Sequence, residues 1–143
     1  MKTYRIFCAA LFAFVLFSCE DDDLVLNKNK KQSFKGSFKL QTSEKFLSTV
    51  EAAGTSTLEI SNGRFTSITY TETLGYGHAA GRLAITESKI NFIDTVFKAW
   101  PANIMPPRYI NGTYDYKFDG NKLELGNKYE SGWVEIHTLD LKQ

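Results

Sequence analysis

The chain offers few side chains for acid–base or nucleophilic chemistry. Its two histidines are His78 and His137, and its two cysteines, Cys8 and Cys19, both lie within the first 19 residues. His78 stands in the segment YGHAAG, residues 76–81, where small neighbours let a ligand or another backbone approach closely. It is therefore a candidate pocket donor or general base, and an ordinary strand histidine is the alternative. His137 lies within a strand pattern and is expected to be structural.

Recognisable metal and phosphate motifs are missing from the sequence. It has no HExxH, no CxxC and no paired histidines at ligand spacing, which are the usual marks of zinc sites. Asp115, Asp119 and Asn121 cluster around one hairpin, but their spacing is not that of a calcium loop. Turn formation explains these three residues better. We therefore expect a non-enzymatic protein without a metal or a cofactor.

The segment FKAWPANIMPPRY, residues 97–109, combines loop-forming and apolar residues. Its prolines at 101, 106 and 107 exclude regular strand pairing. The segment nevertheless carries Trp100, Met105 and Tyr109, and long structured loops of this kind often act as binding loops or lids. It is predicted either to gate a ligand site or to plug one end of the domain. Trp133 has two corresponding interpretations: it either packs in the core or lines a ligand pocket.

The elements that must position these residues are strands. From Phe34 onward, apolar and polar residues alternate with a period of two, which is typical of half-buried strands. Asn62-Gly63 is a strong hairpin signal, because both residues accept the positive φ of a type I′ turn. In the third strand the apolar positions slip by one, which predicts a bulge. The predicted strands cover approximately residues 34–41, 57–61, 64–73, 76–86, 89–96, 110–119, 123–125 and 129–141.

One segment departs from this alternation. Residues 43–53 carry apolar side chains at helical spacing, namely Phe46, Leu47, Val50 and Ala53, and predict a short amphipathic helix after the first strand. Eight consecutive strands with mostly short links favour an all-β, antiparallel, up-and-down barrel, which leaves no exposed sheet edge. A two-sheet sandwich is the alternative.

The first 23 residues have the pattern of a targeting signal. Two basic residues precede the apolar run Ile6–Phe17, and Ser18-Cys19 is followed by four acidic residues. Twelve apolar residues are too few to span a bilayer core, which needs about 20, but they suit a signal peptide. The segment resembles a bacterial lipoprotein signal peptide with its lipobox, which implies cleavage after residue 18 and acylation of Cys19. An uncleaved N-terminal anchor is the alternative.

The acidic run at residues 20–23 resembles the surface-export signal of Bacteroidetes lipoproteins. This resemblance implies a protein held by lipid in the outer membrane and displayed on the cell surface. A solvated spacer, with the protein on the periplasmic face, is the alternative. The chain thus divides into a signal peptide (1–18), a lipidated cysteine with a flexible tether (19–33) and a β domain (34–143).

Charge excludes one class of partner. Without residues 1–18 the chain has 15 Lys and Arg against 16 Asp and Glu, a net charge of −1. Nucleic-acid binding depends on clustered cations, and the sequence shows such a cluster only at Lys28, Lys30 and Lys31, within the predicted tether. We therefore expect no nucleic-acid partner.

The segment Gly112–Leu125 carries the pattern G-x-Y-x-Y-x-x-x-G-x-x-L-x-L. It resembles a hairpin common in lipocalin-like lipoproteins of Bacteroidetes, and residues 57–65 resemble an early hairpin of the same group. The resemblance implies a calycin-like barrel and a small apolar ligand. The G-x-W of classical lipocalins is replaced by Gly36-Ser37-Phe38. An Arg-x-Tyr carboxylate clamp is also absent from the last strand, which argues against specific fatty-acid binding.

The hypothesis that follows is a lipid-anchored barrel that binds a small apolar or amphipathic molecule at its mouth. The candidate contacts are Trp100, Met105, Tyr109, Trp133, His78 and Tyr76. The competing hypothesis is a cell-surface interaction module with a filled interior, whose loops bind a protein or a glycan.

A modification site is suggested by the same resemblance. Asp94-Thr95-Val96 matches the short O-glycosylation acceptor pattern of Bacteroidetes, which makes Thr95 a candidate. Modification requires Thr95 to be accessible and would place Asp94 and Val96 on the inward face.

Overall fold

The computed structural model of the chain describes residues 26–42, 50–96, 98 and 108–143. The predictions for the signal peptide, for Cys19 and for Trp100 and Met105 lie outside these described residues.

Eight antiparallel strands close into a barrel in sequence order. They are β1 (Gln32–Thr42), β2 (Val50–Ser61), β3 (Arg64–Thr71), β4 (Gly75–Ile85), β5 (Lys89–Asp94), β6 (Gly112–Phe118), β7 (Lys122–Lys128) and β8 (Trp133–Leu141). Each strand pairs with the next, and β8 pairs with β1 along nine residue pairs to close the ring. The predicted all-β, up-and-down barrel is confirmed, and the sandwich alternative is wrong.

The two ends of the barrel differ in their connections. At the end that we call the closed end, short turns join β2 to β3, β4 to β5 and β6 to β7, beside the start of β1 and the end of β8. The first turn has positive φ at Asn62 (52°) and Gly63 (69°), as the sequence predicted. The opposite end, which we call the open end, carries the two longest connections, residues 43–49 and 95–111.

The described residues of the interior form two apolar clusters. The lower cluster fills the closed half, where Phe65 and Phe92 meet edge to face with ring centroids 4.9 Å apart. Its buried members are Leu26, Phe34, Leu58, Ile60, Phe65, Ala79, Leu83, Ile90, Phe92, Ile110, Tyr114, Leu123, Leu125 and Leu139. The upper cluster lies toward the open end and consists of Phe38, Leu40 and Ala52 with Leu74 and Trp133 against them. Full burial of such a side chain contributes about 1.5–3 kcal/mol.

Residues 50–53 form strand rather than helix. β2 begins at Val50, which pairs with Gln41 of β1, and Ala52 is buried in the upper cluster. The predicted helix is therefore wrong over these four residues, because pairing with β1 outweighs the local helical spacing. Its remaining residues, 43–49, lie outside the described ranges. Among the described residues, no helix is long and apolar enough to cross a membrane.

The predicted bulge in β3 is also wrong. β3 pairs without a register shift with both β2 and β4. Its inward face is largely polar, and Ile68 and Tyr70 point outward. A register shift occurs instead between β1 and β2, where Leu40 pairs with Ala52 and Gln41 pairs with Val50.

The described part of the predicted tether packs against the closed end. Leu26 is 3% exposed within the lower cluster. The Gly63 amide donates a 2.8 Å hydrogen bond to the Lys28 carbonyl, which ties this segment to the β2–β3 turn. The barrel fold therefore includes residues 26–33.

Candidate ligand-binding site

A layer of polar side chains lies where the lower cluster, which includes Tyr114, borders the upper cluster, and its His137 ring contacts Tyr114 on one side and Phe38 on the other. We call it the polar layer, and its members are Ser56, Ser67, Thr69, Tyr114, Glu135 and His137, each at most 1% exposed. They come from β2, β3, β6 and β8, where the alternation of each strand turns them inward. Tyr129, in the loop between β7 and β8, joins the layer from the open end.

Glu135 is the centre of the polar layer. Its Oε1 accepts hydrogen bonds from the Tyr114 hydroxyl (2.7 Å) and from His137 Nε2 (2.9 Å). Its Oε2 accepts a hydrogen bond from the Tyr129 hydroxyl at 2.6 Å. Hydrogen bonds to an ionised acceptor are short and strong, and three of them offset the cost of removing a carboxylate from water.

These contacts determine the protonation state of the layer. Burial alone would raise the pKa of Glu135, but the hydrogen bond and charge of His137, with the two tyrosine donors, hold that pKa below its ordinary value. Burial and the neighbouring Glu135 charge raise the pKa of Tyr114 and Tyr129 well above the ordinary value. The site is therefore a carboxylate surrounded by neutral phenol donors.

A hydrogen-bond relay extends from Glu135 across the interior. His137 Nδ1 lies 3.1 Å from Ser56 Oγ, which lies 3.3 Å from Thr69 Oγ1. The order of Ser, His and Glu resembles a nucleophilic triad, but Ser56 and His137 are both 0% exposed. No substrate could reach the hydroxyl in this conformation.

Among the described residues, three buried side-chain polar atoms have no hydrogen-bond partner. Gln32 Oε1 lies at the start of β1, and the other two are Ser67 Oγ and Arg108 Nε. The Arg108 guanidinium lies 5.9 Å from the centroid of the Tyr129 ring, so its charge is beside the polar layer. Unsatisfied buried polar groups are rare in native proteins, and these two provide capacity for a further polar group.

An ion pair fixes the base of the 95–111 connection. The Lys98 ammonium pairs with Asp94 and lies 3.9 Å from the centroid of the Tyr109 ring. Asp94 Oδ1 also accepts hydrogen bonds from the amides of Ala80 (3.2 Å) and Val96 (3.0 Å). Burial lowers the pKa of Lys98. Tyr109 is thereby held against the barrel.

The end of this connection passes close to the inner side of β4. Gly77 is buried, and a Cβ added to it would lie 1.8 Å from the Arg108 carbonyl oxygen. Only glycine allows this approach. Ile110 is fully buried in the lower cluster, and Tyr109 packs against that cluster. Residues 108–110 therefore fill part of the interior, which supports the plug interpretation for this part of the segment.

Six residues are predicted to contact a ligand, and the structure separates the four of them that it describes. Tyr109 and Trp133 are half-buried against the lower and upper clusters, respectively. Tyr76 and His78 lie on the outer face of β4, and Tyr76 is 71% exposed. Their position differs from the predicted one because the alternation of β4 turns Gly77 and Ala79 inward. Trp100 and Met105 lie outside the described residues.

Tyr76 belongs to an aromatic patch on the outside of the barrel. We define the outer patch as Ile68, Tyr70, Tyr76 and His78, which are neighbours in the register of β3 and β4. The Tyr70 and Tyr76 ring centroids are 4.5 Å apart, and Ile68 is 43% exposed.

Thr95 is exposed, as glycosylation would require. Its hydroxyl donates a 3.2 Å hydrogen bond to the Ala80 carbonyl. The Asp94 side chain is buried as expected, but Val96 is 39% exposed, contrary to the expectation that it points inward.

Sequence reasoning missed most of the polar layer. Glu135, Ser56, Thr69 and Tyr129 were not identified, and His137 was assigned to structure alone. One signal was available: positions 133, 135, 137, 139 and 141 share one face of β8, so a carboxylate and an imidazole fall on the same side as Leu139 and Leu141.

The chain matches no protein family model and no curated protein. Among solved structures it is similar to one described as a surface lipoprotein, with a TM-score of 0.48 and 8% sequence identity. The match covers 80% of this chain and 62% of that one.

Proposed function

We propose that this chain is a lipid-anchored, non-enzymatic barrel that binds a small amphipathic molecule in the open half of its interior. The observation that carries the proposal is the polar layer, a buried carboxylate with its donors, lying toward the end with the long connections. A purely structural core has no need of it, because apolar side chains of similar volume often stabilise a protein equally well or better.

The surroundings of the polar layer support an amphipathic ligand. On the side of the open end, Phe38 and Leu40 are buried in the upper cluster, and Trp133 packs half-buried against them. Ser67 Oγ and Arg108 Nε offer unused hydrogen-bonding capacity. Small-molecule sites commonly combine an apolar lining with a few polar groups of this kind. The ligand therefore has an apolar body and a polar group that accepts or donates hydrogen bonds.

The position of the N-terminal segment is consistent with ligand entry through the open end. Leu26 and the start of β1 lie at the closed end, so acylation at Cys19 would hold that end toward the membrane. The open end would then face the surrounding medium. Mass spectrometry of the native protein tests the anchor, because an acyl-modified Cys19 is expected and an unmodified cysteine would contradict it.

Native mass spectrometry also tests the ligand. A fragment of residues 20–143, purified without detergent from the native host, retains Leu26 and all eight strands. We expect an added mass that disappears on organic extraction and is reduced by Trp133→Ala. Tyr76→Ala, on the outer face, is the matched control and should retain the added mass. A bare mass from every preparation, together with no binding of a total lipid extract of the host, would overturn the proposal.

The outer patch favours a second candidate function, an interaction module for a protein or glycan. Exposed aromatic and apolar side chains in one group often mark binding surfaces, and the exposed Tyr76 ring packs at a tilt against the Tyr70 ring. Glycan-array binding of the same fragment distinguishes the two functions. Loss of a glycan signal in Tyr76→Ala but not in Trp133→Ala would favour the outer patch.

A further inference from the structure

The closed end carries a strip of cations that is independent of the interior site. We call it the basic ridge and define it as Lys28, Lys30, Lys31, Arg64 and Arg82, all of which are exposed. Within the described part of the chain, none of the five forms an ion pair with a carboxylate. From residue 26 onward the chain has 15 Lys and Arg against 12 Asp and Glu, so the net charge of this part is +3.

Two arginines form the centre of the basic ridge. Arg64 of β3 and Arg82 of β4 are directly opposite each other in the sheet register. Like charges in opposite positions destabilise a strand pair, so an anion placed between them would be favoured. They line a groove of about 310 Å³ together with Phe65, Thr66, Ala80, Gly81 and Thr95, none of which is acidic.

The lysines of the basic ridge belong to a fixed turn rather than to a loose chain. Leu26 is buried at its start, the Lys30 amide donates a 3.2 Å hydrogen bond to the Asn27 carbonyl, and the Gly63 amide donates to the Lys28 carbonyl. Lys31 and Arg64 line a second, smaller groove, where Glu59 is the one acidic residue. The cations are therefore presented together on one side of the closed end.

We propose that the basic ridge docks the closed end of the barrel on a membrane surface that carries phosphate headgroups. Six residues separate Cys19 from Leu26, so a lipid on that cysteine would keep the ridge within about 25 Å of the bilayer. The ridge runs across a turn and two strands, as suits an extended anionic surface rather than a single small anion. Docking would fix the open end away from the membrane.

Vesicle partitioning of the 20–143 fragment tests this proposal without the lipid anchor. The fragment retains the acidic run at residues 20–23, which competes with the vesicle surface for the basic ridge. The vesicles contain phosphatidylcholine alone or with phosphatidylglycerol. We expect partitioning onto the anionic vesicles only, decreasing as sodium chloride is raised. Each basic residue near an anionic surface contributes about fivefold to partitioning, so the double variant Arg64→Ala/Arg82→Ala should bind about 25-fold more weakly.

The matched control removes two exposed cations from the other half of the barrel, Lys39→Ala/Lys128→Ala. It should change partitioning less than twofold, a small fraction of the arginine effect. Equal losses in both double variants, or no partitioning onto anionic vesicles, would overturn the proposal. Displacement by millimolar inorganic phosphate at constant ionic strength would also overturn it, since the site would then take a free anion. Circular dichroism of both variants establishes that they are folded.

Discussion

Glu135 links the stability of the barrel to pH. Its folded-state pKa is held below the ordinary value of 4.5 by His137 and the two tyrosine donors. A carboxyl whose pKa is lower in the folded state stabilises the fold above the unfolded-state pKa and loses that contribution as the pH falls through the folded-state pKa. The stabilisation is therefore present at neutral pH and is lost in acid.

We predict that the free energy of unfolding decreases as the pH falls below about 4.5, and that Glu135→Gln makes this decrease smaller. Urea unfolding between neutral and acid pH measures both curves. Glu124→Gln, at an exposed position of β7, is the matched control and should retain the acid dependence of the native chain. Parallel curves for the native chain and Glu135→Gln would contradict the assignment of an ionised Glu135.

Two tyrosines allow a comparison between a hydrogen bond to the Glu135 carboxylate and one to a neutral carbonyl. The Tyr129 hydroxyl donates to the Glu135 carboxylate, whereas the Tyr116 hydroxyl donates to the neutral Thr86 carbonyl at 3.1 Å. We expect Tyr129→Phe to lower the free energy of unfolding by about 1.5–3 kcal/mol and Tyr116→Phe by about 0.5–1.5 kcal/mol. Urea denaturation of the two variants gives the comparison. A larger loss in Tyr116→Phe would mean that the Tyr129 contact adds little.

Strand existence was predictable because each strand carries its own alternation and several turns carry their own signals. Asn62-Gly63 is such a turn, and its positive φ values follow directly from the residue types. Eight strands with short links then favour closure, as found. At the scale of strands and turns, the sequence contains most of the information needed to predict the fold.

Which face of a strand points inward was harder to predict. In β3 the apolar Ile68 and Tyr70 point outward, while Ser67 and Thr69 are buried. A search for apolar periodicity therefore assigns Ile68 and Tyr70 to the inward face. It then needs a bulge to place Phe65 on that same face. The inward face of β3 is fixed by its register with β2 and β4, which a single strand does not encode.

The polar layer was unpredictable for a related reason. Its contacts join residues far apart in the chain, and His137 and Ser56 are 81 positions apart. Ser56 and Thr69 give no signal of burial until the barrel closes. The local helical spacing at Val50 and Ala53 likewise gives no hint that this segment pairs with β1.

The seam between β1 and β8 depends on a glycine. A Cβ added to Gly36 would lie 1.9 Å from the Thr138 carbonyl oxygen, whereas a Cβ added to Gly126 of β7 would meet nothing within 4 Å. We expect Gly36→Ala to destabilise the barrel by about 2 kcal/mol or more, and Gly126→Ala to change stability by at most about 0.5 kcal/mol. Thermal unfolding of both variants measures the difference. Equal melting temperatures would show that the seam can widen without cost.

At the scale of the whole molecule, the two ends of the barrel are specialised differently. The closed end contains short turns, the lower cluster, the packed N-terminal segment and the basic ridge. The open end contains the long connections and the upper cluster, with the polar layer below it. If the closed end is held at a membrane, as proposed, the open end faces away from that membrane.

The N-terminal segment should therefore be part of the folding unit. A fragment of residues 34–143, the domain boundary suggested by strand alternation, lacks Leu26, the Lys28 carbonyl that accepts from Gly63, and the first two residues of β1. We expect it to be at least about 3 kcal/mol less stable than residues 26–143, since burial of one leucine contributes about 1.5–3 kcal/mol and a hydrogen bond about 1 kcal/mol.

Urea unfolding of the two fragments measures this difference. Leu26→Ala within residues 26–143 isolates the buried side chain and should account for about 2–3 kcal/mol of the loss. Asn29→Ala, at an exposed position of the same turn, is the matched control and should cost less than about 1 kcal/mol. Equal stability of the two fragments would mean that residues 26–33 contribute no packing energy. The lysines of the basic ridge would then lack the rigid support that the docking proposal requires.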